Sequence, residues 1–338
     1  MRKIHFFIGL FATTLFLISC GSNESITDDG NGNGGGSTSD VTNVNKNTIS
    51  TGQPKEMARL EFPKAKGGTS DVIVHSTSAY GMTYALEWDH TLRSQRWSCF
   101  EIYKSNSVKN WSRSNWRQTS WGGDPFQKDR LVPLSEQPNV TGEFSGSYYL
   151  GNGSFYERGH ICASEDRVYS KDANEQTFYM TNMQPQYGSF NQKGTWFKME
   201  DDLRRKANSI KNDKDTLFVV KGGTIDSPEN IIEYINGRQT VYTATTGYIP
   251  VPKYFFVAIL EKAFDTESNK HKYSAFGYWF PHENKEFEKG DKLGKYVVNI
   301  KTLEDKTGID FFCNLPDEIE KEVENVDAEV IKKLWGFK

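Results

Sequence analysis

The sequence predicts one α+β domain behind an N-terminal lead, and three observations carry that expectation. Strand-like runs lie on both sides of a motif-rich centre at residues 156–203, and a helical run closes that centre. The 338 residues are 36% hydrophobic and 14% aromatic, enough for a sizeable core. Such a length could hold two domains, but one α+β domain of about 250–290 residues is also ordinary.

The lead has its own chemistry. Arg2 and Lys3 precede an apolar run over 4–18 that is too short for a comfortable membrane span. Leu17-Ile18-Ser19-Cys20 then resembles a bacterial lipobox. That resemblance implies removal of a signal peptide over 1–19 and lipidation of Cys20. The folded part is therefore expected outside the cytoplasm, anchored to the outer membrane or cell surface. Residues 20–51, rich in Gly, Ser, Asn, Asp and Thr, read as a flexible tether, with the globular domain over 52–338. Beyond Cys20 the cysteines are Cys99, Cys162 and Cys313. An odd number leaves at least one free or paired between chains in an oxidising compartment. Their spacing fits no zinc pattern, and Cys162 reads as a small buried residue rather than a catalytic thiol. The formal charge of −3 excludes a global basic footprint, but a local basic cleft is compatible with it.

Within the domain, residues 72–75, 80–88 and 97–104 read as strands. The stretch 105–138 is polar and loop-like, with Trp111, Trp116 and Trp121 among arginines. A Gly-rich and aromatic segment over 142–153 leads to a strand at 155–160 that ends on His160. A short helix near 172–176, a strand at 177–183, a loop at 184–189 and a helix at 196–210 follow. That helix is expected to carry Glu200, Asp201, Arg204 and Arg205 on its polar side. Residues 216–222, 241–246, 254–260 and 273–279 read as further strands, 302–313 as a closing helical element, and 317–333 as a terminal surface helix. There are no internal repeats.

The chemistry concentrates in four blocks. They are Glu157-Arg158-Gly159-His160, Thr177 to Gln186 with Asn182, Phe190-Asn191-Gln192, and Trp196-Phe197-Lys198-Met199-Glu200. Cutting a phosphodiester needs a neutral base, fixed positive charge and oxygen ligands for a hard cation. Imidazole, guanidinium, amide and carboxylate supply all of these. No Gly-rich phosphate loop or dinucleotide fingerprint competes.

These blocks, in this order, resemble the DNA/RNA non-specific endonuclease family, whose signature Asp-Arg-Gly-His is followed by Asn-x-x-Pro-Gln, Asn-Gln and Trp-x-x-(Leu/Met)-Glu. The likeness extends through Trp88-Asp89-His90, Arg96-Trp97 and Ile309-Asp310-Phe311-Phe312, over roughly 79–315. It implies a ββα-metal nuclease, α+β with central antiparallel sheets flanked by helices, cutting DNA, RNA or both and leaving a 5′-phosphate. By the same resemblance His160 is the general base, Arg158 stabilises charge, and Asn182 positions His160 or the phosphate. Asn191 is the ligand of Mg2+ or another divalent cation such as Mn2+, and Glu200 the supporting carboxylate. Arg113 is the substrate-phosphate contact, with Arg117 the alternative. Two departures stand out: Glu157 replaces the Asp, and the Asn191-to-Trp196 spacing is one residue long. Either Gly194 breaks the helix and leaves Asn191 before it, or Gln192 takes the ligand's place. The other readings are a surface lipoprotein that binds nucleic acid or another polyanion without cutting it, and a phosphodiesterase for small nucleotides.

Overall fold

A computed structural model describes residues 42–116, 126–139, 148–149, 155–210, 212–237 and 239–337. The lead with Cys20, the alternative Arg117, and Trp121 lie outside the described residues. Among those described, a seven-stranded antiparallel sheet forms the centre. Its strands are β1 (Ser70–Thr77), β2 (Gly81–Asp89) and β3 (Ser94–Tyr103), two short pieces β4 (Tyr148–Tyr149) and β5 (Phe155–His160) plus β6 (Met183–Tyr187) lying apart in a second sheet, then β7 (Thr216–Gly223). After β8 (Ile231–Asn236), β9 (Gln239–Val241) and β10 (Ile249–Pro252), which form a third sheet, come β11 (Tyr254–Asp265), β12 (Lys270–Pro281) and β13 (Val297–Val298). The central order is β1-β2-β3-β7-β11-β12-β13; the smaller sheets run β4-β5-β6 and β10-β8-β9.

The helices are α1 (Lys171–Gln176), α2 (Gly188–Gln192), α3 (Thr195–Ser209), α4 (Ile300–Thr307), α5 (Asp317–Glu324) and α6 (Ala328–Leu334). They cover both faces of the central sheet, which is why its middle strands read as near-continuous apolar runs. On one face Leu86, Phe100, Val219, Phe255 and Tyr278 pack with Trp196, Met199 and Leu203 of α3. On the other, Trp97, Phe218, Val220, Phe256 and Ala258 pack with Ile300 and Leu303 of α4 and Val323 of α5. Buried Trp196, Met199, Leu203 and Ala207 fall three to four residues apart, as an amphipathic helix requires. Each large side chain so buried is worth about 1.5–3 kcal/mol. The site sheet is tied to the central one by Gln184. Its Nε2 donates to Ser94 Oγ (3.1 Å) and Gln95 O (3.0 Å), and its Oε1 accepts from Gly223 N (2.7 Å).

Four expectations need correction. Residues 177–183 are not a strand: Asn182 Nδ2 bonds back to Thr177 O and Thr177 Oγ1 to Asn174 O, so local side-chain bonds hold turns until Met183. The strand then occupies Met183–Tyr187, where a loop was expected. The run at 241–246 leaves the sheet after β9, which pairs only with β8, and Tyr242 is 82% exposed. The terminal helix is two, because Asp327 caps α6 by accepting from Glu329 N and Val330 N. The end of the expected tether is docked: Asn43 donates to Cys313 O and Leu315 O, and Asn47 to Met57 O and Pro63 O.

Candidate active site

β5 and β6 pair antiparallel with His160 opposite Met183 and Gly159 opposite Gln184. A Cβ on Gly159 would fall 2.2 Å from Gln186 Cδ, so only glycine lets the two strands close here. Alternation then sends Arg158 and His160 to one side of β5 and Glu157 to the other.

On the His160 side, two rings and three cations surround the imidazole. Phe126 and Phe178 lie 5.4 Å and 5.2 Å from it, ring centre to ring centre. The Arg158 guanidinium sits 3.7 Å over Phe126, and that of Arg113 5.2 Å over Phe178. His160 Nε2 is sealed from solvent and accepts or donates no hydrogen bond among the described residues. Burial holds the imidazole well below its usual pKa, and the positive charges of Arg113, Arg158 and Lys221 push the same way. The ring is therefore neutral at working pH, with a lone pair to offer, in a field that attracts phosphate.

On the other side of β5, Glu157 is 9% exposed and takes both amides of α2. Its Oε2 accepts from Asn191 Nδ2 at 2.7 Å and its Oε1 from Gln192 Nε2. A carboxylate can bind only the NH2 end, so this fixes the amide orientation and turns each carbonyl oxygen away from Glu157. Asn191 is half-buried and Gln192 exposed. The extra residue is absorbed at Lys193-Gly194, where α2 ends and α3 begins. A Cβ on Gly194 would lie 2.6 Å from Phe190 Cα and 2.7 Å from Lys285 O. Asn191 thus belongs to a separate turn, and helix geometry no longer opposes it to Glu200. An oriented amide oxygen with a carboxylate on the next helix is a fitting donor set for a hard cation that keeps most of its waters.

Glu200 is not on the polar side of α3. Its side chain is only 14% exposed, beside the buried stripe. It joins Lys221, Asp166 and Arg204. Lys221 Nζ lies 3.5 Å from Asp166 Oδ2, and Arg204 Nη1 lies 3.6 Å from Asp166 Oδ1 and 3.8 Å from Glu200 Oε2. Burial raises the Glu200 pKa to about 7, against the pull of Lys221 and Arg204. Asp166 and Arg167, adjacent in the chain, take different partners. Arg167 is fully buried, stacked 4.2 Å over Phe100, with Nη2 donating to Glu101 O at 3.2 Å. Lys221, Phe126 and Phe178 were missed in the sequence. Only Lys221 left a signal there, as a lone charge inside Phe218-Val219-Val220-Lys221-Gly222-Gly223.

Asn182 is bonded to the main chain beside His160. It is fully buried, its Nδ2 donating to Cys162 O and Thr177 O (both 2.8 Å) and its Oδ1 accepting from Cys162 N at 2.9 Å. It braces the chain just past His160. Arg113 is exposed on a turn capped by Ser112 and faces the Phe178 wall. Trp111 and Trp116 pack on each other, 5.2 Å apart. Cys99, Cys162 and Cys313 are free thiols and buried.

Two antiparallel strands feeding a helix, with a neutral histidine at the strand end and an oriented amide at the helix start, define a ββα-metal nuclease. The chain belongs to the DNA/RNA non-specific endonuclease family, whose model matches residues 70–318. It is thus a hydrolase of phosphodiester bonds within nucleic acid, of a family that depends on a divalent cation. A nuclease of a Nostoc species is 26% identical over 245 residues, covering 72% of this chain and 75% of that protein. Nuclease C1 of Cunninghamella echinulata is 27% identical over 213 residues, 59% of this chain and 77% of that one. Among solved structures, a chain of the EndoG/EndoGI complex superposes with a TM-score of 0.52 at 21% identity. It covers 72% of this chain and 86% of its own.

Proposed function

We propose that the chain cleaves DNA, RNA or both by attack of water on phosphorus, with His160 as general base and Mg2+ as the working cation. The neutral imidazole with an uncommitted Nε2 amid Arg113, Arg158 and Lys221 carries this reading. Arg113 and Arg158 draw in the phosphate and hold it beside the ring. His160 takes the proton from the attacking water. Arg158, which cannot be neutralised, stabilises the charge that grows on the phosphoryl oxygens. Glu157 holds Asn191 so that its carbonyl oxygen serves as the cation ligand; half-burial favours it over exposed Gln192. Glu200 is the second carboxylate of the cation site. When bound, the cation supplies Lewis-acid charge to the scissile phosphate and the leaving oxygen.

His160→Ala should lower turnover on plasmid and on RNA by about 10²–10⁴-fold, while chelator abolishes wild-type cleavage. A variant cutting at the wild-type rate removes the assignment. We further infer that Cys20 carries lipid and tethers the enzyme at the outer membrane or cell surface, supported by the lipobox-like Leu17-Ile18-Ser19-Cys20. Cys20→Ala should abolish incorporation of labelled palmitate and release the protein from the membrane fraction. Unchanged labelling refutes the anchor.

A further inference from the structure

Behind the rings that flank His160 lies a second histidine that the mechanism above does not use. His75, on β1, is 3% exposed, and its ring rests on Tyr84 and Tyr179 at 4.7 and 5.1 Å. Its Nε2 is 3.0 Å from Oδ2 of Asp129, itself 1% exposed. The same Oδ2 accepts from Thr181 Oγ1 at 2.7 Å, and Oδ1 from Leu131 N at 2.9 Å. Asp129 is also the hub of its own loop, since Gln137 accepts from Asp129 N at 2.6 Å and donates to Asp129 O at 2.5 Å.

That loop starts with Phe126. Its main chain is stitched to the segment bearing Phe178: Gln127 N donates to Phe178 O at 3.1 Å, and Met180 N to Gln127 O at 2.8 Å. The two walls of the His160 pocket therefore ride on two joined segments, 126–129 and 178–181. The clasp between them is the carboxylate of Asp129, hydrogen-bonded by Thr181 on one side and in 3.0 Å contact with the His75 imidazole on the other. A buried carboxylate without its partner is costly, so loss of His75 forces Asp129 toward water or toward a proton. Either response shifts a loop only three residues from Phe126.

We propose that His75 is a positioning residue for the general base, clasping Asp129 so that Phe126 is held against His160 and beneath the Arg158 guanidinium. This rests on His160 as the base. With the clasp open, Phe126 withdraws, bulk solvent replaces its ring against the imidazole, and Arg158 loses the ring it lies on. The groups that face His160 in that state are still Arg113, Arg158 and Lys221, and none of them is a carboxylate. The change seen by His160 is thus loss of burial alone, which moves its titration toward higher pH.

The test compares wild type with His75→Gln, which keeps an N–H to set against Asp129, and His75→Phe, which fills the space but has none. Turnover of a defined oligonucleotide, its KM and the imidazole titration of His160 by NMR would be followed. His75→Phe should lower kcat by about 10-fold or more with little change in KM, and raise the His160 midpoint. His75→Gln should recover most of both. If His75→Phe does not fold, His75→Leu, which also cannot donate to Asp129, is combined with Phe126→Leu: a kcat loss in the double variant no larger than in Phe126→Leu alone supports the clasp, and a fully additive loss overturns it. A lowered melting temperature with kcat and the His160 midpoint at wild-type values also overturns it. The NMR titration needs no activity, so failure of the clasp is separable from failure of His160 as base, which His160→Ala reports.

Discussion

Two clusters of charge are buried against opposite faces of the same sheet, and they solve the cost of burial in different ways. In β7 the alternation sends Leu217, Val219 and Lys221 toward α3, and Phe218 and Val220 toward α4. Under α3, Lys221 and Arg204 stand against Asp166 and Glu200, two of each sign. Under α4 and α5, Glu304, Asp310 and Glu324 converge, with Glu320 linked to Asp310 through Asn45 Nδ2. Burial pushes Glu304 and Glu320 up to about 7 and Glu324 to about 8, with the neighbouring carboxylates adding to the rise. In the first cluster Lys221 and Arg204 stand against Asp166, although burial still raises Glu200 to about 7; in the second Lys301 lies 3.6 Å from Glu304, yet the crowded carboxylates raise one another up to about 8. The first cluster is the one beside His160, and it supplies Lys221 to the positive field on the imidazole.

The largest break in that contrast should come from Lys221→Met, which keeps the volume and removes the charge. Lys221 is fully buried, so Asp166 is left without its nearest partner on β7. Breaking a buried pair from one side costs about 3–5 kcal/mol, to be read as a lower denaturation midpoint at unchanged m-value. Glu200 also loses the neighbour that does most to hold its pKa down, and activity at pH 7 should fall with it. A variant as stable as wild type would show that Lys221 is not paired in solution.

A smaller effect should follow from Glu157→Gln. The amide offers one acceptor oxygen where the carboxylate offers two, so Asn191 and Gln192 can no longer both be held. Orienting groups of this kind are worth about 10–100-fold in cation affinity. The Mg2+ concentration for half-maximal cleavage should rise by that factor, with kcat at saturating Mg2+ far less affected. An unchanged Mg2+ requirement would detach Glu157 from the cation site.

How far the site could be read from the chain follows the same division between local and distant. The strand ending on His160, the helix from Trp196 and the break at Gly194 were legible because periodicity and glycine act within a few residues. Glu200 was misplaced because a helix pattern marks charged residues as outward; Lys221, twenty-one residues on, is what draws it in. Asp166 sits next to Arg167 in the chain, yet its partners come from β7 and α3. The 177–183 stretch has strand-like residues, but the side chains of Thr177 and Asn182 bond to nearby carbonyls and win locally. Phe126 and Phe178 could not be picked from 22 phenylalanines, because nothing but tertiary packing brings them to the imidazole.

The smallest expected effect sharpens the comparison from the like-signed side. Glu324 has a folded pKa of about 8 against an ordinary value of 4.5. Between those values the folded chain keeps a proton that the unfolded chain has released, so stability falls as pH rises from about 4.5 to about 8. Glu324→Gln stays neutral throughout and cannot suffer that loss. Its melting temperature should exceed wild type by a few degrees at most at pH 8.5, and the gap should close near pH 4.5. Thermal melts across that range, with chelator present, measure it directly. A gap that does not change with pH would mean Glu324 is not kept protonated by its neighbours. A wild type more stable than the variant at pH 8.5 would mean the carboxylate is paired with a cation after all, and the two clusters would then differ in geometry only.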